Sequence, residues 1–523
     1  MHPDAGPRFT AATVAAVALV ALAGLAAVYR TDDTDFWFHL AAGRSIAAHG
    51  LPDAERWTLS AADERPWLPG WSFLLALWEV FRFGGFAGIA LWRALLSAAA
   101  VALALTVART AGARGVWTLA ILPLVIAVTR ERLQARTEQV FAVLLLFALL
   151  CFERTRRGRD RTLWTLPAQL VWVNAHPSWI FSPLLAWLYV IEAWVSGRRG
   201  RAAGGFAGRR DAAAGDARAR APANVGAGKL AWIGVALCAF VVLTPPGINL
   251  RGVPFAFLAD LGARDPLIAS IEELRSWSWA QDRGEPFTAL LALVLVAVLL
   301  GGRRAWQASP PLVVVALAGL ASGFAIHRMR AVAALLATPV LLLALEASGT
   351  LWRDRATRVA GGVAALAGFA WLLLAPGFEF GAEPQWRAFP VRAVALADSL
   401  RLEGPMINTF HLGGYILWVR GDRHRPLVDG RARGTPIFRS QFERASVDST
   451  ALDSLLATWR CNHAILEPPR GAHDRMSMAL AARPDWTLVF ADDAGLLFVK
   501  NDVYPGVAAA RGYALLTPDY AEL

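Results

Sequence analysis

Lysine is almost absent from this sequence. Of 52 basic side chains only Lys229 and Lys500 are lysines, so arginine carries the net charge of +11. No basic patch with interleaved aromatics occurs outside the loops, which argues against a nucleic-acid partner; the charge reads as membrane topology. Cysteine is scarce too. Three cysteines make no disulfide framework, and Cys151 and Cys238 fall in apolar runs. No P-loop, zinc-ligand spacing or Ser-His-Asp motif stands out. The Gly413-Gly414 pair lacks the GxGxxG spacing of a dinucleotide fingerprint. No repeat of fixed period is visible.

What the chain has in excess is apolar length. It is 56% hydrophobic, and its mean hydropathy of +0.41 lies well above that of a soluble domain. Apolar runs recur along the first three quarters and predict a polytopic α-helical membrane protein with about eleven spans. These lie near 9–29, 86–108, 116–129, 138–152, 163–176, 178–196, 230–245, 287–300, 311–326, 331–346 and 359–376. Several fall short of the ~20 residues that cross the hydrocarbon core, and would tilt or thin the bilayer. The stretch Trp67–Phe83 is interrupted by Glu79 and Arg82, and reads as an interfacial helix. The first span, preceded by Arg8, resembles a signal sequence and reads as an uncleaved anchor.

Arginine sets the orientation. With the N-terminus inside, the inner loops carry Arg154, Arg156, Arg157, Arg159 and Arg161, then Arg198–Arg210, then Arg303 and Arg304, then Arg353–Arg358. The outer loops mix arginine with acids and aromatics. The N-terminus is therefore expected in the cytoplasm. Residues 197–229, rich in Ala, Gly and Arg, read as a disordered cytoplasmic loop. Residues 1–376 form the transmembrane domain, with a first external loop at about 30–85. From 377 to 523 the composition turns soluble and predicts an extracytoplasmic α/β domain. Its expected strands are Pro405–Phe410, Arg425–Arg431, His463–Leu466, Trp486–Phe490 and Leu496–Lys500, the last two a hairpin; Leu452–Trp459 is helical, and Gly413 starts a helix after a tight turn.

The first external loop is the leading candidate site. Asp32, Asp33 and Asp35 sit within one turn of a membrane boundary, and Asp35, His39 and Gly43 share one helix face. Carboxylates there can activate an acceptor or hold a cation. The alternative is a solvated helix N-terminus, where Asp favours the dipole. Arg132, Arg136 and Glu138 open another span and suit a phosphate, or snorkel to headgroups. Asn174-Ala-His176 closes a span, and His176 is either structural or catalytic. Pro245–Arg251 closes another, followed by Glu272, Glu273, Arg275, Trp277 and Trp279, which suit sugar stacking or an interfacial belt. His327, Arg328 and Arg330 enter a span from outside and suit a phosphate clamp or interfacial anchoring. Asp429-Gly-Arg431 reads as a turn.

Together the pattern resembles the GT-C superfamily of glycosyltransferases that use lipid-linked sugars. The resemblance rests on Asp33-Thr-Asp-Phe-Trp-Phe-His-Leu-Ala-Ala-Gly-Arg44, on Asn174-Ala-His176, Asn249 and His327-Arg328, and on Gly413-Gly-Tyr415 and Asp429-Gly-Arg431. It implies transfer of a hexose or pentose from a polyprenyl-phosphate donor to a cell-envelope glycan, lipid or protein on the external face of the membrane. By resemblance Asp33 and Asp35 are the catalytic acids. His39, Arg136, Glu138, His176, His327, Arg328 and Arg330 are the substrate-binding set. A divalent cation, Mg or Mn, is the cofactor the resemblance admits. No Trp-Trp-Asp motif occurs in the tail, which argues against transfer to protein sequons. A lipid or glycan transporter or flippase, or a non-catalytic membrane binding protein, is the alternative. A transporter needs mid-membrane charges, which the spans largely lack.

Overall fold

The computed structural model describes residues 11–61, 68, 70–114, 117–130, 132, 134–206, 226–245, 272–346, 370, 374, 378–421, 423–431, 441–446, 448–469 and 476–513. Its main helices are α1 (Ala11–Leu25), α2 (Asp35–His49), α3 (Trp71–Thr110), α4 (Thr118–Arg130), α5 (Thr137–Arg156), α6 (Thr165–Ala175), α7 (Phe181–Phe206), α8 (Ala227–Ala239), α9 (Pro286–Ala308), α10 (Pro310–Ala325), α11 (Arg330–Leu345), α12 (Val391–Ser399), α13 (Phe410–Arg420) and α14 (Ser449–Trp459). The chain forms two compact units. One comprises residues 1–29 and 90–380, the other 30–89 and 381–523. The residues read as the first external loop thus belong to the same unit as the tail.

The first unit is a helix bundle. Ser309 caps α10 by accepting the Leu312 N–H, and prolines stand at the first turns of α9 and α10, where their missing N–H is harmless. α11 is apolar on every side and is buried accordingly, packed against α4, α9 and α10. Four described helices are long and apolar enough to cross a membrane: Trp71–Thr110, Pro177–Arg198, Pro286–Ala308 and His327–Leu345. Shorter apolar helices, such as Pro310–Ala325, coincide with other expected spans. The segment at 359–376 lies almost wholly outside the described residues, as does Pro246–Arg251. α3 joins the expected interfacial helix to the following span and breaks at Gly85, whose φ of +55° suits glycine. α7 continues to Phe206, into the stretch expected to be disordered; residues 207–225 lie outside the described set.

The second unit holds a four-stranded sheet of β1 (Met406–Asn408), β2 (His463–Leu466), β3 (Trp486–Ala491) and β4 (Leu496–Lys500), in the order β1-β2-β4-β3. β1 and β2 run parallel; the other pairs are antiparallel. The β3–β4 turn is held by Asp492 Oδ1, which accepts from Ala494 N at 3.0 Å and Gly495 N at 2.9 Å. Two expectations fail here. Arg425–Arg431 is not a strand. Its backbone is held instead by the Asn408 side chain, whose Nδ2 donates to Val428 O at 2.8 Å and whose Oδ1 accepts from Leu427 N at 2.8 Å. Outside the sheet, Leu59 N and Ser60 N donate to Pro426 O and Leu427 O. The segment thus pairs with a side chain and a loop, not with a sheet edge.

Nor does Gly413 follow a tight turn. α13 begins at Phe410, and the glycine pair lies inside it. A Cβ on Gly413 would stand 2.0 Å from Val428 O, and one on Gly414 2.8 Å from Thr34 O. The pair exists so that backbones can touch. Gly413→Ala should therefore lower stability by about 2–3 kcal/mol, the cost of overpacking where backbone must move. Gly506→Ala is the control, since nothing lies within 4 Å of a Cβ there. Thermal unfolding of both variants in detergent tests this; equal melting would remove the steric argument. An aromatic core centred on the fully buried Trp37 packs beneath α2, with Phe389 at 5.3 Å, Tyr415 at 5.1 Å and Trp386 at 5.6 Å between ring centroids.

Candidate active site

In the second unit Asp33 and Asp35 have different tasks. Asp35 is the first residue of α2, where a carboxylate meets the positive end of the helix dipole. Thr34, the N-cap, makes no side-chain capping bond. Asp33 does that work: its Oδ1 accepts the Asp35 N–H at 3.1 Å, and its own N–H donates to Thr31 Oγ1 at 3.1 Å. Asp33 is buried, while Asp35 is half-buried. A Cβ on Gly430 would lie 2.6 Å from Asp35 Oδ1, so the Asp429-Gly-Arg431 loop is laid against that carboxylate.

That loop is more than a turn. Arg431 Nη1 donates to Glu55 Oε2 at 2.7 Å and Nη2 to Asp429 Oδ2 at 2.6 Å, with the guanidinium 4.0 Å above the Phe38 ring. Glu55 and Asp429 are both buried, and Glu55 Oε1 also accepts the Trp57 N–H at 2.9 Å. Burial alone would lower the Arg431 pKa; Asp429 and Glu55 overrule it and raise it well above the usual value. Two carboxylates against one guanidinium leave an excess of negative charge beside Asp35. Glu55 was invisible in the sequence. It lies 376 residues from its partner, and nothing local marks it.

His39 and Gly43 share the face of Asp35 but turn it into packing. The His39 ring meets Phe73 edge-on at 5.9 Å, and a Cβ on Gly43 would lie 2.2 Å from Leu74 O. The face docks on the first part of α3, a contact that helical periodicity alone does not reveal.

The other predicted residues lie in the first unit, in two groups. Glu138 and Arg328 line one small cavity of about 40 Å³ together with Thr129, Arg132 and Gln139. Arg136 and His176 act electrostatically on Glu138, as Arg328 does. Arg136 and Arg132 share Glu273, at 3.0 and 2.9 Å. His176 Nδ1 accepts the Ser178 N–H at 3.0 Å, and its ring stacks on Phe141 at 5.2 Å and 9°. Arg330, in contrast, is buried in an ion network. It donates to Asp282 at 3.0 and 3.2 Å and to Glu285, while Arg275 binds Asp282 at 2.6 and 2.8 Å. Sequence reading missed Asp282 and Glu285, although an Arg330 at a bundle mouth needs just such partners.

Asp282, Glu285 and His327 are the one group of three metal-ligating side chains gathered among the described residues, their ligand atoms lying within 4.8 Å of one another. They do not suit a metal. Burial pushes the Asp282 carboxyl up, yet bonds from Arg275, Arg330 and the Ser278 N–H hold it well below the usual range. Burial and the neighbouring Asp282 push Glu285 up. Two guanidiniums already neutralise two carboxylates, and a divalent cation would have to displace both.

No protein-family model matches the chain, and no curated protein matches it in sequence. The fold does have counterparts. The archaeal oligosaccharyltransferase AglB from Archaeoglobus fulgidus, solved with an inhibitory peptide and a dolichol-phosphate, superposes with a TM-score of 0.56 at 11% identity, over 87% of this chain and 69% of that one. The mycobacterial arabinofuranosyltransferase AftD superposes with a TM-score of 0.50 at 15% identity, over 94% of this chain and 40% of that one. The chain thus spans two fifths of the mycobacterial protein's length. The likeness is one of fold alone.

Proposed function

We propose that this protein is a membrane glycosyltransferase that moves a sugar from a polyprenyl-phosphate donor to a cell-envelope acceptor on the external face. The fold shared with AglB carries this reading: that protein was solved holding both a dolichol-phosphate and a peptide. In the reaction the acceptor oxygen bonds to the anomeric carbon. The carbon–oxygen bond to the phosphate breaks, the phosphate stays on its lipid, and the acceptor proton goes to a base. Asp35 is that base. Asp33 holds the start of α2 and so positions it. The Glu55–Arg431–Asp429 cluster braces the loop whose Gly430 lies against Asp35.

Arg328 holds the donor phosphate, with Arg136 as its companion; guanidinium pairs donate two hydrogen bonds to a phosphate where lysine offers a point charge. Arg330 is spent on Asp282 and Glu285, and in this reading it supports the bundle mouth. The N-terminus lies in the cytoplasm and the tail outside, following the arginine asymmetry. Two buried charges of the first unit have charged partners: Arg330 the acids Asp282 and Glu285, and Glu153 Oε2 the Arg156 guanidinium, with the Tyr189 and Ser309 hydroxyls donating to it at 3.0 and 2.9 Å. That is the pattern of a rigid scaffold more than of a transport path.

The test is twofold. A deletion strain should lose one lipid-linked or envelope glycan, and the purified chain should restore it from a polyprenyl-phosphate sugar; a strain with an unaltered glycan inventory would reject the reading. In that assay Arg328→Lys should raise the apparent KM for the donor, by roughly 1–3 kcal/mol, the scale of a charged hydrogen bond, with acceptor KM unchanged. Donor kinetics like wild type would remove Arg328 from the site.

A further inference from the structure

One cavity of the first unit plays no part in the reaction above. It measures about 570 Å³ and opens where α5 and α9 end, with α7 forming one wall. Arg156, Arg157 and Arg304 line it, facing Glu192, Ser196 and Gln307. By the arginine asymmetry this is the cytoplasmic end. Such a volume suits a small-molecule site.

The arginines are anchored but not consumed. Arg157 Nη2 donates to Ala111 O at 2.5 Å and Ala308 O at 3.2 Å, and Arg156 Nη2 also donates to Ala308 O. These bonds cap the last carbonyls of α3 and α9 and offset the negative ends of their dipoles. Arg156 Nε reaches Glu153 Oε2 at 3.3 Å. Among the described residues Arg304 makes one hydrogen bond, from Nη1 to Glu346 O at 3.2 Å. Arg156 Nη1 stands 3.9 Å from Glu192 Oε1; a guanidinium has five N–H donors, so among the described residues both Arg156 and Arg304 keep donors to offer. Beneath them Glu153 is fully buried, and its Oε1 accepts no hydrogen bond; Arg157 Nε stands 3.5 Å away. Glu153 fixes the roots of Arg156 and Arg157, leaving their outer edges to the cavity.

Formal charge selects the ligand. Three arginines against Glu153 and Glu192 leave one positive charge, which a monoanion cancels. Guanidinium edges flanked by a hydroxyl and an amide suit phosphate oxygens and the hydroxyls of a small head group. A basic pocket between helix ends on this face of a membrane is also where anionic head groups collect. We infer that this cavity is a binding site for a phosphodiester monoanion, separate from the proposed transfer site.

Native mass spectrometry of the full chain in detergent tests this without any transfer assay, so failure here is distinct from failure of the glycosyltransferase reading. Phosphatidylglycerol, a phosphodiester with one negative charge, should be retained in preference to phosphatidylcholine. Arg304→Gln, at the exposed rim, should cut that preference roughly tenfold, the scale of one charged hydrogen bond. Ser196→Ala, which leaves the charges in place, should cut it less. Soluble glycerophosphoglycerol separates the sources. If it displaces the lipid, the site takes the free phosphodiester; if it does not, the acyl chains are part of the ligand. Equal retention of the two lipids by the wild type, or a preference unmoved by Arg304→Gln, overturns the inference.

Discussion

Asp35→Asn is expected to abolish sugar transfer while leaving the protein folded and inserted. The substitution keeps the size of the side chain, so the contact with Gly430 survives. What it removes is the ability to accept a proton. A positioned base is worth about 10²–10⁴-fold in rate, and a loss of that size in kcat/KM is the expected reading. The effect on stability is modest, because a charge at a partly buried helix start contributes up to about 2 kcal/mol. Asp33→Asn is the informative companion. Its amide oxygen can still accept the Asp35 N–H, so it should lose far less activity than Asp35→Asn, whereas Asp33→Ala, which deletes the acceptor, should cost both stability and rate. Transfer at the wild-type level by Asp35→Asn would leave the acids of the first loop as a helix start and nothing more.

The second large effect is structural. Arg431→Met should destabilise the protein by about 3–5 kcal/mol, the usual cost of stripping the partner from buried charge. Glu55 and Asp429 are both buried and both depend on that guanidinium. Methionine fills the volume against Phe38 and Trp57, so the loss would be electrostatic more than steric. Adding Glu55→Gln to Arg431→Met should then recover part of the lost stability by deleting one uncompensated charge. Arg431→Lys should fall between, since lysine keeps the charge but cannot pair with two carboxylates and stack on a ring together. Thermal unfolding in detergent reads all three. A melting temperature untouched by Arg431→Met, or worsened by the added Glu55→Gln, contradicts the charge argument.

Legibility followed the range of the interaction. Helices α4, α5, α9, α10 and α11 coincide with apolar runs, because a helix satisfies its own backbone and needs only composition to declare itself. The β3–β4 hairpin was readable for the same reason: its turn chemistry, Asp492 through Gly495, is local. Arg425–Arg431 was misread because its partners are the Asn408 side chain, some 20 residues away, and the backbone of Leu59 and Ser60, far off in sequence. The glycine pair of α13 was misread as a turn because the demand for it comes from Val428 and Thr34, which meet it only in space.

The site divides along the same line. Local spacing was enough to mark Asp33 and Asp35 at the start of a helix, Glu138 at the start of another, and Arg328 and Arg330 at a bundle mouth. Local spacing cannot say what a charged group faces. Charge is settled by the nearest opposite charge within a few ångströms in a poorly screened interior, and those neighbours are distant in sequence. Tertiary packing alone separated Asp33, a capping group, from Asp35. It committed Arg330 to Asp282 and Glu285 while leaving Arg328 on a cavity with Glu138, and it joined Glu55 to Arg431. Membrane character, helix positions and the first-loop acids were determined by the sequence itself; which groups its charges meet was decided by the fold.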